Sequence, residues 1–192
     1  MNFINKKKLL LIVLPHIVES IFAKGVKTKS FLAFPYGPLT IGSYIKKNTN
    51  HHDVEILDLN LYAHDERGLL DVINEKLDIF SPDIVGMSMM FDQSYKHVDQ
   101  LAALIKEKNN KIKVILGGAS ATTAWNEIIM EQKNIDALCY SEGEVAILNL
   151  LNSENLSDEF KKDPWITKQK VEQNNNFKPK SIVEQNLNNV ID

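Results

Sequence analysis

Cysteine is nearly absent from the sequence, which holds one, Cys139, among 192 residues. An internal disulfide needs two cysteines, and an all-cysteine zinc site or an iron–sulfur cluster needs three or four. None of these can therefore form within this chain alone. Cys139 lies in the apolar stretch IDALCY, and this position predicts a packed, unreactive thiol.

Long apolar runs and strong charge are lacking as well. Leu9–Leu14 follows three lysines but is only six residues long, which is too short for the core of a signal peptide or for a membrane-spanning helix. The net charge of -3 offers no electrostatic attraction to nucleic acid or to an anionic membrane. We therefore expect a cytoplasmic protein with no nucleic-acid and no membrane partner.

The glycine-rich motifs that bind nucleotide phosphates are also missing. After the first apolar run the sequence reads PHIVES, where a dinucleotide site requires G-x-G-x-x-G, and no G-x4-G-K-[ST] loop occurs. Asp58, at the end of the second apolar run, could bind a ribose, but a capping or turn role is at least equally expected. These absences count against a nucleotide-dependent enzyme of the Rossmann type.

What is present is a regular alternation of apolar runs with amphipathic stretches. Continuous apolar runs are typical of strands that are buried on both faces, and the stretches between them have helical spacing. The predicted strands are Leu9–Leu14, Asp53–Asp58, Asp83–Met90, Lys113–Leu116 and Ile135–Tyr140. The predicted helices are Leu39–Lys47, Leu69–Phe80, Tyr95–Lys108, Trp125–Gln132 and Gly143–Leu151. This alternation predicts a three-layer α/β fold, flavodoxin-like or Rossmann-like, with a parallel five-stranded sheet of order 2-1-3-4-5.

The alternation stops at Leu151. Residues 1–151 are predicted to form the α/β domain, and residues 152–192, rich in Asn, Lys, Glu and Gln, a polar and poorly packed C-terminal extension or linker. Trp165 and Ile166 are its candidates for docking on the domain. Residues 15–36 form an unusually long connection after the first strand, at the edge where α/β sheets bind ligands.

Small or uncharged residues follow the central strands. Ser88 lies near the end of the third strand, Gly117 and Gly118 follow the fourth in VILGGASAT, and Ser141 and Gly143 follow the fifth. A glycine at the end of a strand lets another group approach the backbone closely. The sequence thus predicts a slot at the carboxyl ends of strands three to five, lined by backbone amides and hydroxyls rather than by charges.

Five motifs that follow one another in the sequence carry a resemblance. They are PYGPL at 35–39, HDVEILDLN, PDIVGMSMM, VILGGASAT and SEGEVAILNLL. Over residues 9–151 they resemble the cobalamin-binding domain that precedes the catalytic barrel of many radical SAM enzymes. The resemblance implies that cobalamin lies over the sheet top with its nucleotide tail in the slot. The cofactor-binding residues that it implies are Gly37, Leu39, Ser88, Met89, Gly117, Gly118, Ser141, Glu142 and Gly143.

The same resemblance implies that cofactor binding and catalysis are carried out by different domains. A radical SAM enzyme holds its iron–sulfur cluster with three cysteines, so this chain is not expected to hold a cluster or to be an enzyme by itself. Its expected function is to bind cobalamin for a radical SAM enzyme, of a methyltransferase-like kind, whose catalytic domain lies elsewhere or on a separate chain. The alternative is a flavodoxin-like interaction or scaffold module without a cofactor.

Three positions depart from the pattern of that family. Ser141 stands where glycine is usual, Ala119 and Ser120 replace a common Pro-His pair, and the first strand ends in Leu-Pro-His rather than Asn-Pro-Pro. The first two departures would reshape the pocket for the nucleotide tail.

Histidine ligation of cobalt is not expected. Cobalamin domains that use a histidine ligand carry D-x-H-x-x-G, whereas Leu14 and Glu19 take the Asp and Gly positions around His16. An imidazole ligand needs an acceptor on its second nitrogen, so we predict base-off cobalamin with no histidine ligand and no other protein metal ligand.

The other polar residues have ordinary explanations. His51 and His52 are predicted to form a solvated turn, and His97 is predicted to be exposed on the third helix. Glu142 and Glu144 precede or begin the last helix, where acidic side chains stabilise the helix dipole.

Overall fold

Six strands form one sheet in the described part of the chain. They are β1 (Lys8–Val13), β2 (Asp53–Asp58), β3 (Ile84–Ser88), β4 (Lys113–Gly117), β5 (Ala137–Cys139) and β6 (Trp165–Ile166). Their order is β2-β1-β3-β4-β5-β6, with parallel pairing from β1 to β5 and antiparallel pairing between β5 and β6. The structure is a computed structural model that describes residues 5–16, 21, 33–63, 67–174 and 176–185.

Helices connect these strands. They are α1 (Tyr36–Asn48), α2 (Leu69–Phe80), α3 (Tyr95–Lys108), α4 (Ala119–Thr123), α5 (Trp125–Glu131), α6 (Glu144–Asn152), α7 (Leu156–Glu159) and α8 (Lys168–Gln173). Helix α2 ends where Ser81 adopts a left-handed φ of 50°, directly before Pro82, which cannot continue a helix. No helix in the described part of the chain is long and apolar enough to cross a membrane.

The two faces of the sheet are covered by different helices. Side chains of Leu10, Ile12 and Met87 pack with α2, α3 and α5, while those of Leu9, Leu11 and Ile115 pack with α1 and α6. Successive side chains of a strand point to opposite faces, so strands covered on both sides must be apolar throughout. The predicted three-layer fold and the order 2-1-3-4-5 are confirmed.

The C-terminal stretch differs from its prediction. Residues 156–173 form α7, β6 and α8, and Phe160, Trp165 and Ile166 are buried against the sheet. The expectation of a poorly packed extension is therefore wrong for this stretch, although Trp165 and Ile166 dock as foreseen. The average composition of the segment is polar, but it contains the three large apolar residues Phe160, Trp165 and Ile166. Their burial accompanies the addition of an edge strand to the sheet.

Two histidines also differ from their predictions. His97 is 0% exposed on the buried face of α3, so the expectation that it is exposed is wrong. His52 is buried as well; its Nδ1 accepts a hydrogen bond from the backbone N–H of Lys7, and its Nε2 lies 3.1 Å from Oδ1 of Asn152. His51, in contrast, is exposed as predicted.

Candidate functional site

The register of the parallel strands brings their carboxyl ends to one edge. Val13 of β1 pairs with Ser88 of β3, and Ser88 pairs with Gly117 of β4. At this edge a cavity of about 130 Å³ opens between the sheet, α1 and α6. We call it the slot. It lies at the edge where open α/β sheets bind ligands.

The deep end of the slot is apolar. Leu11, Gly86 and Ile115 form its floor on the sheet, and Ile41 of α1 and Ile147 of α6 form its walls. A Cβ built on Gly86 would lie 2.9 Å from a methyl carbon of Leu11, so a side chain at this position would collide with its neighbour. The glycine in mid-strand therefore keeps the floor flat.

The mouth of the slot is more polar. Gly37 and Pro38 of α1 border it on one side, and Ser88 and the strand ends border it on the other. On the far side lie Ser141, Glu142 and Gly143, all part of the cavity lining. Ser141 has a left-handed φ of 72°, a region in which L-residues are strained and which glycine adopts more readily.

The two glycines after β4 have different roles. Gly118 has a φ of 105°, and a Cβ there would lie 2.5 Å from the backbone oxygen of Met89. The chain's own backbone is therefore what approaches Gly118, and the N–H of Met89 donates a hydrogen bond to the carbonyl of Gly117 at 2.8 Å. Gly117 has more space, because among the described residues its Cβ would meet only Cβ of Cys139, at 3.9 Å.

Seven of the nine residues predicted for the site line the slot, namely Gly37, Ser88, Gly117, Gly118, Ser141, Glu142 and Gly143. The structure places the other two outside the lining. Leu39 is 36% exposed on α1, and the Met89 side chain is buried in the core on the opposite face of the sheet. Met89 thus contributes to this region through its backbone.

Sequence reasoning missed the floor and the helix walls of the slot. Gly86 carried a usable signal, because an isolated glycine within a strand pattern indicates close approach at that point. Pro38 and Ile41 carried none, since an apolar residue on an amphipathic helix is ordinarily interpreted as core packing.

The carboxylate of Glu144 is the buried charged group of the slot. Its Oε1 lies 3.0 Å from the Thr40 hydroxyl, which donates to it from α1. Burial raises the pKa of the neighbouring Cys139 thiol to about 12, with the charges of Glu144 and Glu142 adding to the effect. Cys139 is therefore a neutral thiol at physiological pH, consistent with a packed and unreactive group.

His16 lies apart from the slot lining. Its backbone N–H donates a 2.8 Å hydrogen bond to Oδ1 of Asn60, and its ring stands edge-on to Phe91 with centroids 4.6 Å apart. Asp58 acts as a cap, its Oδ1 accepting the backbone N–H of Asn60 at 3.0 Å. Within the described residues, no group of three or more His, Cys, Asp or Glu side chains is placed to hold a metal ion.

The sequence of this chain is similar to those of known proteins. The family described as "B12 binding domain" matches residues 31–151, which is more than half of the chain. The anaerobic magnesium-protoporphyrin IX monomethyl ester cyclase of Rubrivivax gelatinosus is 34% identical over 83 residues. The aligned part covers 43% of this chain and 15% of that protein.

Proposed function

Because the chain belongs to the B12 binding domain family, we propose that its slot receives the nucleotide tail of cobalamin and that the corrin ring lies over the carboxyl ends of the strands. Bound cobalamin would supply a cobalt centre that can carry a methyl group. The observation that carries this proposal is the slot itself, which is narrow, flat-floored and apolar, with a polar mouth.

The residues of the slot suit such a group. A planar aromatic base needs a flat apolar surface, and the floor at Gly86 with the walls at Ile41 and Ile147 offers one. The sugar and phosphate of the tail need donors and acceptors, and Ser88 and Ser141 supply hydroxyls near the mouth. Leu39, exposed at the start of α1, would border the corrin.

We further propose that cobalamin binds base-off and without a histidine ligand. The His16 imidazole is packed against Phe91 and is buried outside the slot lining. A His16→Ala variant should therefore give the same visible spectrum with bound cobalamin as the parent. Loss of nitrogen superhyperfine splitting from the Co(II) electron-spin spectrum of that variant would contradict the proposal.

The chain would serve a radical SAM enzyme of methyltransferase-like kind, with the cluster held by another domain or chain in the cytoplasm. The support is the five-motif resemblance together with the single cysteine of this chain. The relative named above is a cyclase that acts on a porphyrin ester. The substrate of the catalytic partner of this chain is to be identified by direct measurement.

The test of cobalamin binding is direct. Purified protein is mixed with hydroxocobalamin and desalted, and the visible spectrum of the protein fraction is recorded. The parent should retain the corrin absorption, whereas Gly117→Leu, which places a side chain at the mouth of the slot, should lose it. Gly117→Ala is the matched control, because its added methyl group would make only an ordinary contact with Cys139.

A parent protein that retains no corrin absorption would contradict cobalamin binding and favour an interaction module without a cofactor. Retention by Gly117→Leu equal to that of the parent would mean that the tail lies elsewhere.

A further inference from the structure

Glu144 is an unusual lining residue. It begins α6, its side chain is only 8% exposed, and it faces the slot. Charged side chains are rarely buried to this degree unless they are paired. In the described residues no Lys, Arg or His forms an ion pair with it.

The hydrogen bonding of this carboxylate is incomplete. An ionised carboxylate can accept about four hydrogen bonds, and the side chain of Glu144 has one donor among the described residues, the hydroxyl of Thr40. The same hydroxyl oxygen lies 2.9 Å from the carbonyl of Gly37. A hydroxyl has a single hydrogen, so Thr40 can donate to only one of the two acceptors at a time. Glu144 therefore presents free acceptor capacity to the slot.

The depth of Glu144 in the slot indicates which part of a ligand it would meet. Helix α6 starts at the carboxyl edge of the sheet and runs toward the opposite edge. Ile147, one turn after Glu144, therefore lies deeper in the slot than Glu144 does. The apolar floor at Leu11, Gly86 and Ile115 lies at that deeper level. A nucleotide that enters base-first would place its base on the floor and its ribose at the level of Glu144.

We propose that Glu144 is a specificity-determining residue, whose carboxylate accepts a hydrogen bond from a ribose hydroxyl of the cofactor's nucleotide tail. This inference rests on the proposed cobalamin function of the slot. Thr40 acts as a positioning residue, because its hydroxyl holds the carboxylate toward α1 and leaves the other oxygen to the ligand. The bound ribose hydroxyl supplies the donor that the buried carboxylate lacks.

The test compares two corrinoids by equilibrium binding. Hydroxocobalamin carries the nucleotide tail, whereas cobinamide has the same corrin amides and no nucleotide. Glu144→Met, which keeps the length of the side chain without its acceptors, should weaken cobalamin binding about tenfold or more, as expected for a hydrogen bond to a charged group. Its affinity for cobinamide should stay unchanged. Glu144→Gln retains one acceptor and should lose less.

A structural role predicts something different. Glu127 is an exposed acid in the first turn of α5, so Glu127→Met is the matched control for loss of a helix-dipole interaction. It should leave both affinities unchanged. If Glu144→Met lowers the melting temperature but keeps the parent's ratio of cobalamin to cobinamide affinity, the carboxylate only stabilises the fold and the inference is wrong.

A third corrinoid separates ribose from base. A cobamide with adenine in place of dimethylbenzimidazole keeps the ribose and adds an amino group to the base. Equal losses for both corrinoids in Glu144→Met support the ribose contact, and a loss confined to one of them overturns it. A parent protein that binds no corrinoid contradicts the proposed function itself, and this result is distinct from all the others.

Discussion

At the scale of single residues, His52 shows how burial changes what a side chain does. Its Nδ1 accepts a hydrogen bond from the Lys7 backbone N–H, so the ring proton lies on Nε2 and points to Oδ1 of Asn152. Burial is the main reason that the pKa of His52 is lowered, and the charges of Lys7 and His51 lower it further, against the opposing effects of Asn152 and Asp53. The fold therefore favours the neutral ring.

This lowered pKa predicts a pH dependence of stability. The unfolded chain takes up the proton first, near the ordinary histidine pKa of about 6.5, so the stabilisation is complete above that pH and is lost as the pH falls below it. In urea unfolding from pH 7 to pH 5, His52→Gln should lose less free energy of unfolding than the parent, because glutamine keeps both hydrogen-bonding roles without titrating. His51→Gln, at an exposed position, removes one of the smaller causes of the shift and should keep most of the parent's dependence. Equal slopes for the parent and His52→Gln would contradict this explanation.

The residues of the slot could be foreseen only where the residue type itself carried the signal. Glycine and serine at strand ends predicted Ser88, Gly117 and Ser141 as neighbours, and the strand register places them at one edge. Histidine carries no such signal, because the same residue type suits a solvated turn or a buried hydrogen bond. The predicted exposure of His52 and His97 is wrong for that reason, since their burial depends on which elements pack against them in the folded chain.

At the scale of elements, a substitution in β6 can show whether the stretch after α6 contributes to the stability of the domain. Trp165 is 0% exposed, and its ring meets Phe160 edge-on at 5.3 Å. Truncation to Trp165→Ala should cost about 3–5 kcal/mol of unfolding free energy, the usual range for a buried aromatic residue. Loss of less than about 1 kcal/mol would show that this strand is dispensable.

Trp165→Phe is the control for that change. The indole Nε1 is buried and has no hydrogen-bond partner among the described residues, so phenylalanine removes an unsatisfied donor while keeping an aromatic ring. It should cost clearly less than alanine, about 1–2 kcal/mol. Trp125 remains as the fluorescent reporter in both variants.

Elements with a strong period were predictable, and short ones were not. The 14-residue helix α3 and the 12-residue helix α2 have the predicted bounds, because each shows repeated apolar positions over three turns. Helix α4, with 5 residues, and strand β6, with 2 residues, are too short for any period to appear. Tertiary packing, rather than local pattern, defines them.

At the scale of the whole molecule, residues 176–185 connect the two helix layers. Phe177 packs edge-on to Trp125 of α5, with centroids 5.7 Å apart. Further along, the hydroxyl of Tyr44 on α1 donates a 2.8 Å hydrogen bond to Oε2 of Glu184. Helix α5 covers one face of the sheet and α1 the other, so this segment leads from one face to the other, and Lys180 lies 4.0 Å from Asp163, which precedes β6.

The Tyr44–Glu184 hydrogen bond should therefore hold the end of this segment on α1. Burial, followed by the Glu184 bond and the charges of Glu184 and Glu144, raises the pKa of Tyr44 to about 12, so the hydroxyl keeps its proton at neutral pH. Tyr44→Phe removes the donor and should speed amide hydrogen exchange in residues 178–185, while amides of β1 and β3 exchange as in the parent.

The exposed Tyr36 provides the control, since Tyr36→Phe removes a hydroxyl from the same helix without touching Glu184. The expected loss of local unfolding free energy in this segment for Tyr44→Phe is about 1.5 kcal/mol, the lower end of the range for a hydrogen bond to a charged acceptor. Unchanged exchange in residues 178–185 would show that the packing of Phe177 on Trp125 and the 4.0 Å ion pair of Lys180 with Asp163 hold the segment without Tyr44. Because Thr40 and Ile41 on the same helix line or support the slot, faster exchange that appears in α1 as well would link this segment to the wall of the slot.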